Sequence, residues 1–262
     1  MSTVLADYKS EREAFKALFQ PDCDERILLY RGSSGSGKTT LLRYCSEQIP
    51  PEITNIPIQL RGRAVSTAEI FYRAGRVLAW ERLSKFTRQV ALFEGTPSVQ
   101  IDSNWMAGIN NRIQVALHVE NLVDREERLA SLTEAWFDDV GAFQQPSLFL
   151  FDTFEQATTE VKDWISGPFL ARVAYAPSVR VVVAGQEVPE ENNIEWGHCC
   201  VAHDLYGVIE AKHWMPVVQA MGRHIDVESP ETWLAGVCHA FNGDPARIMN
   251  VIKGLPKKTR LT

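Results

Sequence analysis

Short apolar runs alternate along the chain with longer stretches in which apolar residues recur every three or four positions, the pattern of strands feeding helices. Residues 8–19, YKSEREAFKALF, set Phe15 and Leu18 among charges and suit a short amphipathic helix. Residues 26–30, RILLY, are almost continuously apolar, as expected of a parallel strand buried on both faces. Leu41, Cys45 and Ile49 then fall at i, i+4 and i+8, one helical stripe that Pro50 and Pro51 terminate. A second strand is expected over 55–60, NIPIQL, and a Ser/Thr-capped helix from Ser66 to about Leu83. Across 84–115, Gly95, Pro97 and Gly108 interrupt any period, so this segment reads as an insertion whose structure the pattern does not define.

Helical spacing returns over 120–143 in Leu122, Leu129, Leu132, Trp136 and Val140, and leads into a strand, SLFLF, at 147–151. A helix is expected after Asp152, and 179–185, VRVVVAG, is a further β-branched strand. From about residue 205 the strands stop. Helices are expected near 207–221, after Ser229 and Pro230, and after Asp244 and Pro245, where a capping side chain precedes a proline at the first helical position. Strands alternating with helices imply an α/β fold, a parallel sheet sandwiched by helices with right-handed crossovers. The expected division is an α/β domain over 1–200 and a small helical lid over 201–262.

Composition narrows the class. With 262 residues, 45% hydrophobic and 23% charged, the chain can bury one sizeable core. Its apolar runs fall far short of the roughly 20 residues that span a bilayer, and MSTVLADYKSEREAF carries charges instead of an apolar leader, so a cytoplasmic protein is expected. A formal charge of −6 disfavours a broad nucleic-acid footprint; the basic run 256–260, PKKTR, reads as a solvated tail. Five cysteines without a CxxC pair suggest buried thiols. His198, Cys199, Cys200 and His203 are metal-ligand types, but so short a loop with adjacent cysteines is poor tetrahedral geometry, and packing is the preferred reading.

The chemistry concentrates in GSSGSGKTT. Gly32, Gly37, Lys38 and Thr39 satisfy G-x-x-x-x-G-K-[ST] between a buried strand and a helix, where that pattern makes a phosphate-binding loop. Glycines turn successive N–H groups toward one point and the helix N-terminus adds its dipole. Ser33, Ser34, Gly35, Ser36 and Thr40 complete the cradle, Lys38 would reach the β- and γ-phosphates, and the Thr39 hydroxyl would hold Mg²⁺.

A second station is SLFLFDTFEQ. Asp152, at the end of a buried strand, is placed to hold Mg²⁺, and Glu155 to polarise the attacking water. D-x-x-E at a helix start is also a capping box, with Asp152 as cap and Glu155 reaching back. Beside an upstream phosphate loop, the metal role is preferred for Asp152. Gln186, at the end of the next strand, could sense the γ-phosphate.

GSSGSGKTT, LFLFDTFE and NGDPARI together resemble the STAND signal-transduction ATPases, the class of NACHT and NB-ARC proteins, and their AAA+ relatives. The resemblance implies a five-stranded parallel sheet with the sensor strand between the phosphate-loop and Asp152 strands. It implies a lid turn, Gly243, Asp244 and Pro245, whose proline packs over the nucleotide. It also implies ATP or ADP with Mg²⁺, a conformational switch in signalling or defence, and protein partners or self-association. Gln186 stands where many relatives carry arginine, which implies slow turnover; a nucleotide-holding module with negligible turnover and a DNA-associated AAA+ ATPase are the alternatives. Arg61 and Arg63 are possible trans-acting residues. The chain ends soon after the lid, where relatives continue, so either an excised core or a compact relative is expected.

Overall fold

The computed structural model describes residues 3–20, 22–62, 65–96, 101 and 103–257. Arg63, Pro97 and the end of the basic run at 258–260 lie outside the described residues. In chain order the elements are α1 (Lys9–Ala17), β1 (Ile27–Arg31), α2 (Lys38–Glu47), β2 (Thr54–Gln59), α3 (Thr67–Leu78), α4 (Ser84–Phe93), α5 (Ser103–Ala107), α6 (Ile109–Leu117) and α7 (Leu122–Val140). There follow β3 (Ser147–Asp152), α8 (Thr159–Trp164), α9 (Leu170–Tyr175), β4 (Val179–Gly185), β5 (Cys200–Asp204), α10 (Ala211–Ala220), α11 (Pro230–Ala240) and α12 (Pro245–Gly254).

The strands form one parallel sheet in the order β2-β3-β4-β1-β5. β4 therefore lies between β1 and β3, as the family resemblance implied. Side chains alternate across the sheet with period two. Ile27, Leu29, Phe149, Phe151, Val181 and Val183 enter a core shared with α3, α4, α6, α7 and α9. Leu28, Tyr30, Leu148, Leu150, Val182 and Ala184 enter the opposite core, shared with α1, α2 and α10 to α12. Asp152 is in phase with Leu148 and Leu150, and so emerges on the α2 side of the sheet.

Four departures from the sequence reading have local causes. α3 opens as expected, with the Ser66 hydroxyl accepting from Glu69 N–H at 3.2 Å, but it stops at Leu78 instead of Leu83. Ala79 turns into positive φ at 69°, and the chain folds Trp80 back against Gly75, where an added Cβ would lie 2.2 Å from the indole. Burying that ring against Phe86 outweighs continuing the helix.

The segment over 84–115 is largely helical. α4 takes its N-terminal cap from a distant residue: the Asp139 carboxylate on α7 accepts from Lys85 N–H at 3.2 Å and Phe86 N–H at 2.9 Å. No window of adjacent residues could reveal a cap supplied from another helix.

The fifth strand is the short edge Cys200–Asp204, in a segment whose thiols and imidazoles suggest only loop packing by sequence. It places 201–204 in the sheet, so the helical segment begins after Asp204. Cys199 is buried with its Sγ donating to Trp196 O at 3.3 Å, and the His203 ring lies 6.0 Å from that of Tyr30. Among the described residues no group of three or more His, Cys, Asp or Glu side chains could hold a metal ion.

Of the two prolines expected behind caps, Asp244 does cap α12, its Oδ1 accepting from Ala246 and Arg247 N–H at 2.9 and 3.1 Å. Ser229 instead pairs with the Thr232 hydroxyl at 2.7 Å and leaves α11 without a side-chain cap.

Candidate functional site

The phosphate-loop sequence leaves β1 at its carboxyl end, is tied to β4 by Gly32 N–H donating to Gly185 O at 3.1 Å, and enters α2 at Lys38. Gly35 and Gly37 sit at φ +88° and +90°, a region open to glycine and costly for residues with a Cβ. At Gly35 a Cβ would also approach Asp244 Oδ1 to 3.0 Å, so the cap of α12 lies close against the loop at that point. The amino end of α2 faces the concavity and supplies unpaired N–H groups with the positive end of the helix dipole.

Lys38 is almost buried, and its ammonium donates to the Gly32 and Ser33 carbonyls at 2.7 and 2.8 Å. Burial pulls its pKa down, and the nearby Glu155 and Asp152 carboxylates oppose that shift. Ser34, Gly35, Gly37, Lys38, Thr39 and Thr40 line a cleft of about 440 Å³ that also receives Asp152, Glu155, Gln186 and Pro245. Gly32, Ser33 and Ser36 lie on the other side of the loop, against Asp204 and Leu205. They shape the loop from behind, since a Cβ on Gly32 would meet Ser36 Oγ at 2.6 Å and Leu205 O at 2.8 Å.

Asp152 and Thr39 meet at the mouth. The Thr39 hydroxyl donates to Asp152 Oδ2 at 2.9 Å, with Oδ1 at 3.3 Å, which joins the start of α2 to the end of β3. Asp152 does not cap a helix. Thr153 adopts left-handed φ at 64°, an uncommon conformation for a β-branched residue, and the chain turns through a short 3-10 segment, Phe154–Gln156, before α8 is capped by Thr158. Phe154 is buried and anchors that turn. The twist separates the two acids: Asp152 faces Thr39, whereas Glu155 faces β4 and accepts from Gln186 N–H at 2.9 Å and Gln186 Nε2 at 3.3 Å.

The opposite wall comes from the two ends of the chain, one of them the turn Gly243 to Pro245 singled out in the sequence. Ala246 N–H donates to Gly35 O at 3.2 Å and Pro245 lies beside Gly37, so the amino end of α12 seats on the phosphate loop. Tyr8, also in left-handed φ, donates its hydroxyl to Ser36 O and packs on Gly37. Burial, then the carboxylates of Glu11, Asp7 and Asp244, push its pKa up. Val4 to Ala6, Trp214, Met249 and Lys253 close the apolar end of the cleft. Nothing local marks Tyr8 or Lys253 as cleft residues, because their places depend on how the chain's two ends meet. Arg61 is exposed at the end of β2 and does not line this cleft.

The donor set suits a hard divalent cation. One hydroxyl and one carboxylate would leave the remaining positions to phosphate oxygens and water, which is the way Mg²⁺ is held when a nucleotide shares it. No helix among the described residues is long and apolar enough to cross a membrane.

No family model matches the chain, and no curated protein matches it. Among solved structures it is similar to a Walker-type ATPase of Pyrococcus abyssi, with 13% identity and a TM-score of 0.51, over 96% of this chain and 69% of that one. The likeness is one of fold: α/β, with a five-stranded parallel sheet flanked by helices.

Proposed function

We propose that this protein binds and slowly hydrolyses ATP with Mg²⁺, and uses the difference between triphosphate and diphosphate as a conformational switch of the STAND or AAA+-related kind. The observation that carries this reading is the meeting of Thr39 and Asp152 at 2.9 Å, at the mouth of a cleft made by a glycine loop with two left-handed turns. A helix start, a lysine and an oxygen pair then converge on one place, and this arrangement binds polyphosphate.

In this reading, backbone N–H groups of Gly35 and of Gly37 to Thr40 hold the phosphates and Lys38 exchanges its loop carbonyls for phosphate oxygens. Thr39 and Asp152 hold the cation, which when bound neutralises charge on the β- and γ-oxygens. Glu155 orients the attacking water. Pro245 and the apolar end of the cleft cover the base and ribose. Because α12 rests on Gly35 through one hydrogen bond, a ligand that differs at the γ-position can shift the lid, and its differential affinity sets the size of that shift. The output is protein association or self-association, in the cytoplasm.

Mg-ATP at a hundredfold excess over Kd is expected to stabilise the wild type by about 2.7 kcal/mol. Lys38→Ala is expected to lose that melting shift, and a shift that persisted unchanged would refute the phosphate assignment. Asp152→Asn is expected to weaken Mg²⁺ dependence more than nucleotide binding. A second reading, a nucleotide-holding interaction module with negligible turnover, is favoured by the engagement of both Glu155 oxygens with Gln186. Equal, background phosphate release from wild type and Glu155→Gln would select it.

A further inference from the structure

The corner between β3 and β4 is built around one carboxylate. Glu155 Oε2 accepts the main-chain N–H of Gln186 at 2.9 Å and Oε1 accepts its side-chain amide at 3.3 Å, so a single residue engages both oxygens. The preceding residue makes this approach possible. A Cβ at Gly185 would lie 2.9 Å from Glu155 Oε2, 2.2 Å from Glu187 O and 3.1 Å from Phe154 Cβ. Those neighbours include main chain, so they could not yield cheaply.

The same corner is braced from two other directions. Thr153 in left-handed φ and buried Phe154 fix the turn that carries Glu155. From α8, Lys162 pairs with Glu187 at 3.4 Å and lies 6.0 Å from the Phe154 ring centre. Gln186 lines the cleft, and its side-chain amide is turned toward Glu155, to which it donates at 3.3 Å.

We infer that Gly185 and Gln186 form a seat that positions Glu155, and that Gln186 acts on hydrolysis through this carboxylate and not by contact with the γ-phosphate. The inference rests on the proposed role of Glu155 in orienting water, and it makes Gln186 a positioning residue. Two donors from one residue hold the plane of the carboxylate fixed, which a group that must direct a water molecule requires. Without the side-chain donor the main-chain one remains, so Glu155 is loosened and not released.

A double-mutant cycle in the full chain tests this, read by phosphate release at saturating Mg-ATP and by ATP and ADP affinities. Gln186→Ala is expected to lower kcat about tenfold, a part of the hundredfold or more that a positioned base supplies, with both affinities unchanged. In a Glu155→Gln background the same substitution is expected to add nothing. A loss of ATP affinity relative to ADP, present in both backgrounds, would overturn the inference and restore direct sensing; additive losses in kcat would also overturn it.

A readout independent of turnover keeps the seat testable if the wild type releases no phosphate. In protein labelled with ¹⁵N-glutamine, the main-chain and side-chain amide signals of Gln186, assigned by their absence in Gln186→Ala, are expected to move upfield in Glu155→Ala. Signals that stay in place would show that the seat does not exist. Unchanged melting and Mg-ATP affinity in Gln186→Ala separate this outcome from failure of the nucleotide assignment itself.

Discussion

The two faces of the sheet are built from the same strands and do different work. On one face, Phe71, Phe86, Trp136, Trp164 and Phe169 interlock in edge-to-face and tilted pairs, with Trp136 5.1 Å from Phe86 and 5.3 Å from Phe71. Such pairs add to the area they bury, and here every partner comes from the middle of the chain. On the other face the core is mostly aliphatic and is assembled from the two ends: Tyr8, Phe15 and Leu18 with Trp214, Leu234, Ile248 and Ile252, around α2. The aromatic face sets the strand ends at fixed positions. The aliphatic face carries the glycine loop and holds α12 against it, so its packing is also the packing of the cleft.

The sharpest way to break that comparison is Trp136→Ala, expected to cost about 3–5 kcal/mol in denaturant unfolding. Nucleotide affinity measured well below the midpoint should nevertheless be unchanged. Ile248→Ala, buried on the lid side, should cost about 2–5 kcal/mol and also weaken Mg-ATP binding. If the first variant altered affinity and the second did not, the division of labour would be reversed.

Asp244→Ala should remove the α12 cap for about 1 kcal/mol. It should also raise the rate of nucleotide dissociation, because the cap lies against Gly35.

The smallest effect belongs to Arg31 and Asp204, a bidentate pair at 2.6 and 3.0 Å on the exposed sheet edge. The Arg31 hydrogen bond and charge hold the Asp204 pKa below its ordinary 3.8. Its stabilisation is therefore present above that value and lost as pH falls through the depressed one. Solvent screening limits it to about 0.5 kcal/mol, so Arg31→Met should flatten the acid limb of the stability profile by no more than that.

Features fixed by neighbouring residues are legible in the sequence. RILLY, SLFLF and VRVVVAG are strands because both faces of a parallel sheet are buried, and Gly37, a fixed glycine of the loop pattern, turns left-handed. The pairing of Thr39 with Asp152 was legible as two motifs each in its own context. Misreadings arose where the stabilising partner was far away in sequence. α3 ends early because Trp80 folds back on Gly75, α4 is capped by Asp139, and β5 is an edge strand too short and too mixed to show a pattern. D-x-x-E did not become a capping box, because Gln186, across the sheet, offers Glu155 two donors.

The amino-acid order alone therefore determined the strand–loop–helix unit and the acids that belong with it, since both depend on periodicity and on which backbone angles glycine permits. Tertiary structure alone decided which way Glu155 turns, that Tyr8 grips the loop from beneath, and that α12 rests on Gly35. Those choices are made by contacts between segments far apart in sequence, Gly35 with Ala246 among them, where the competition is between whole surfaces and no local propensity can register it.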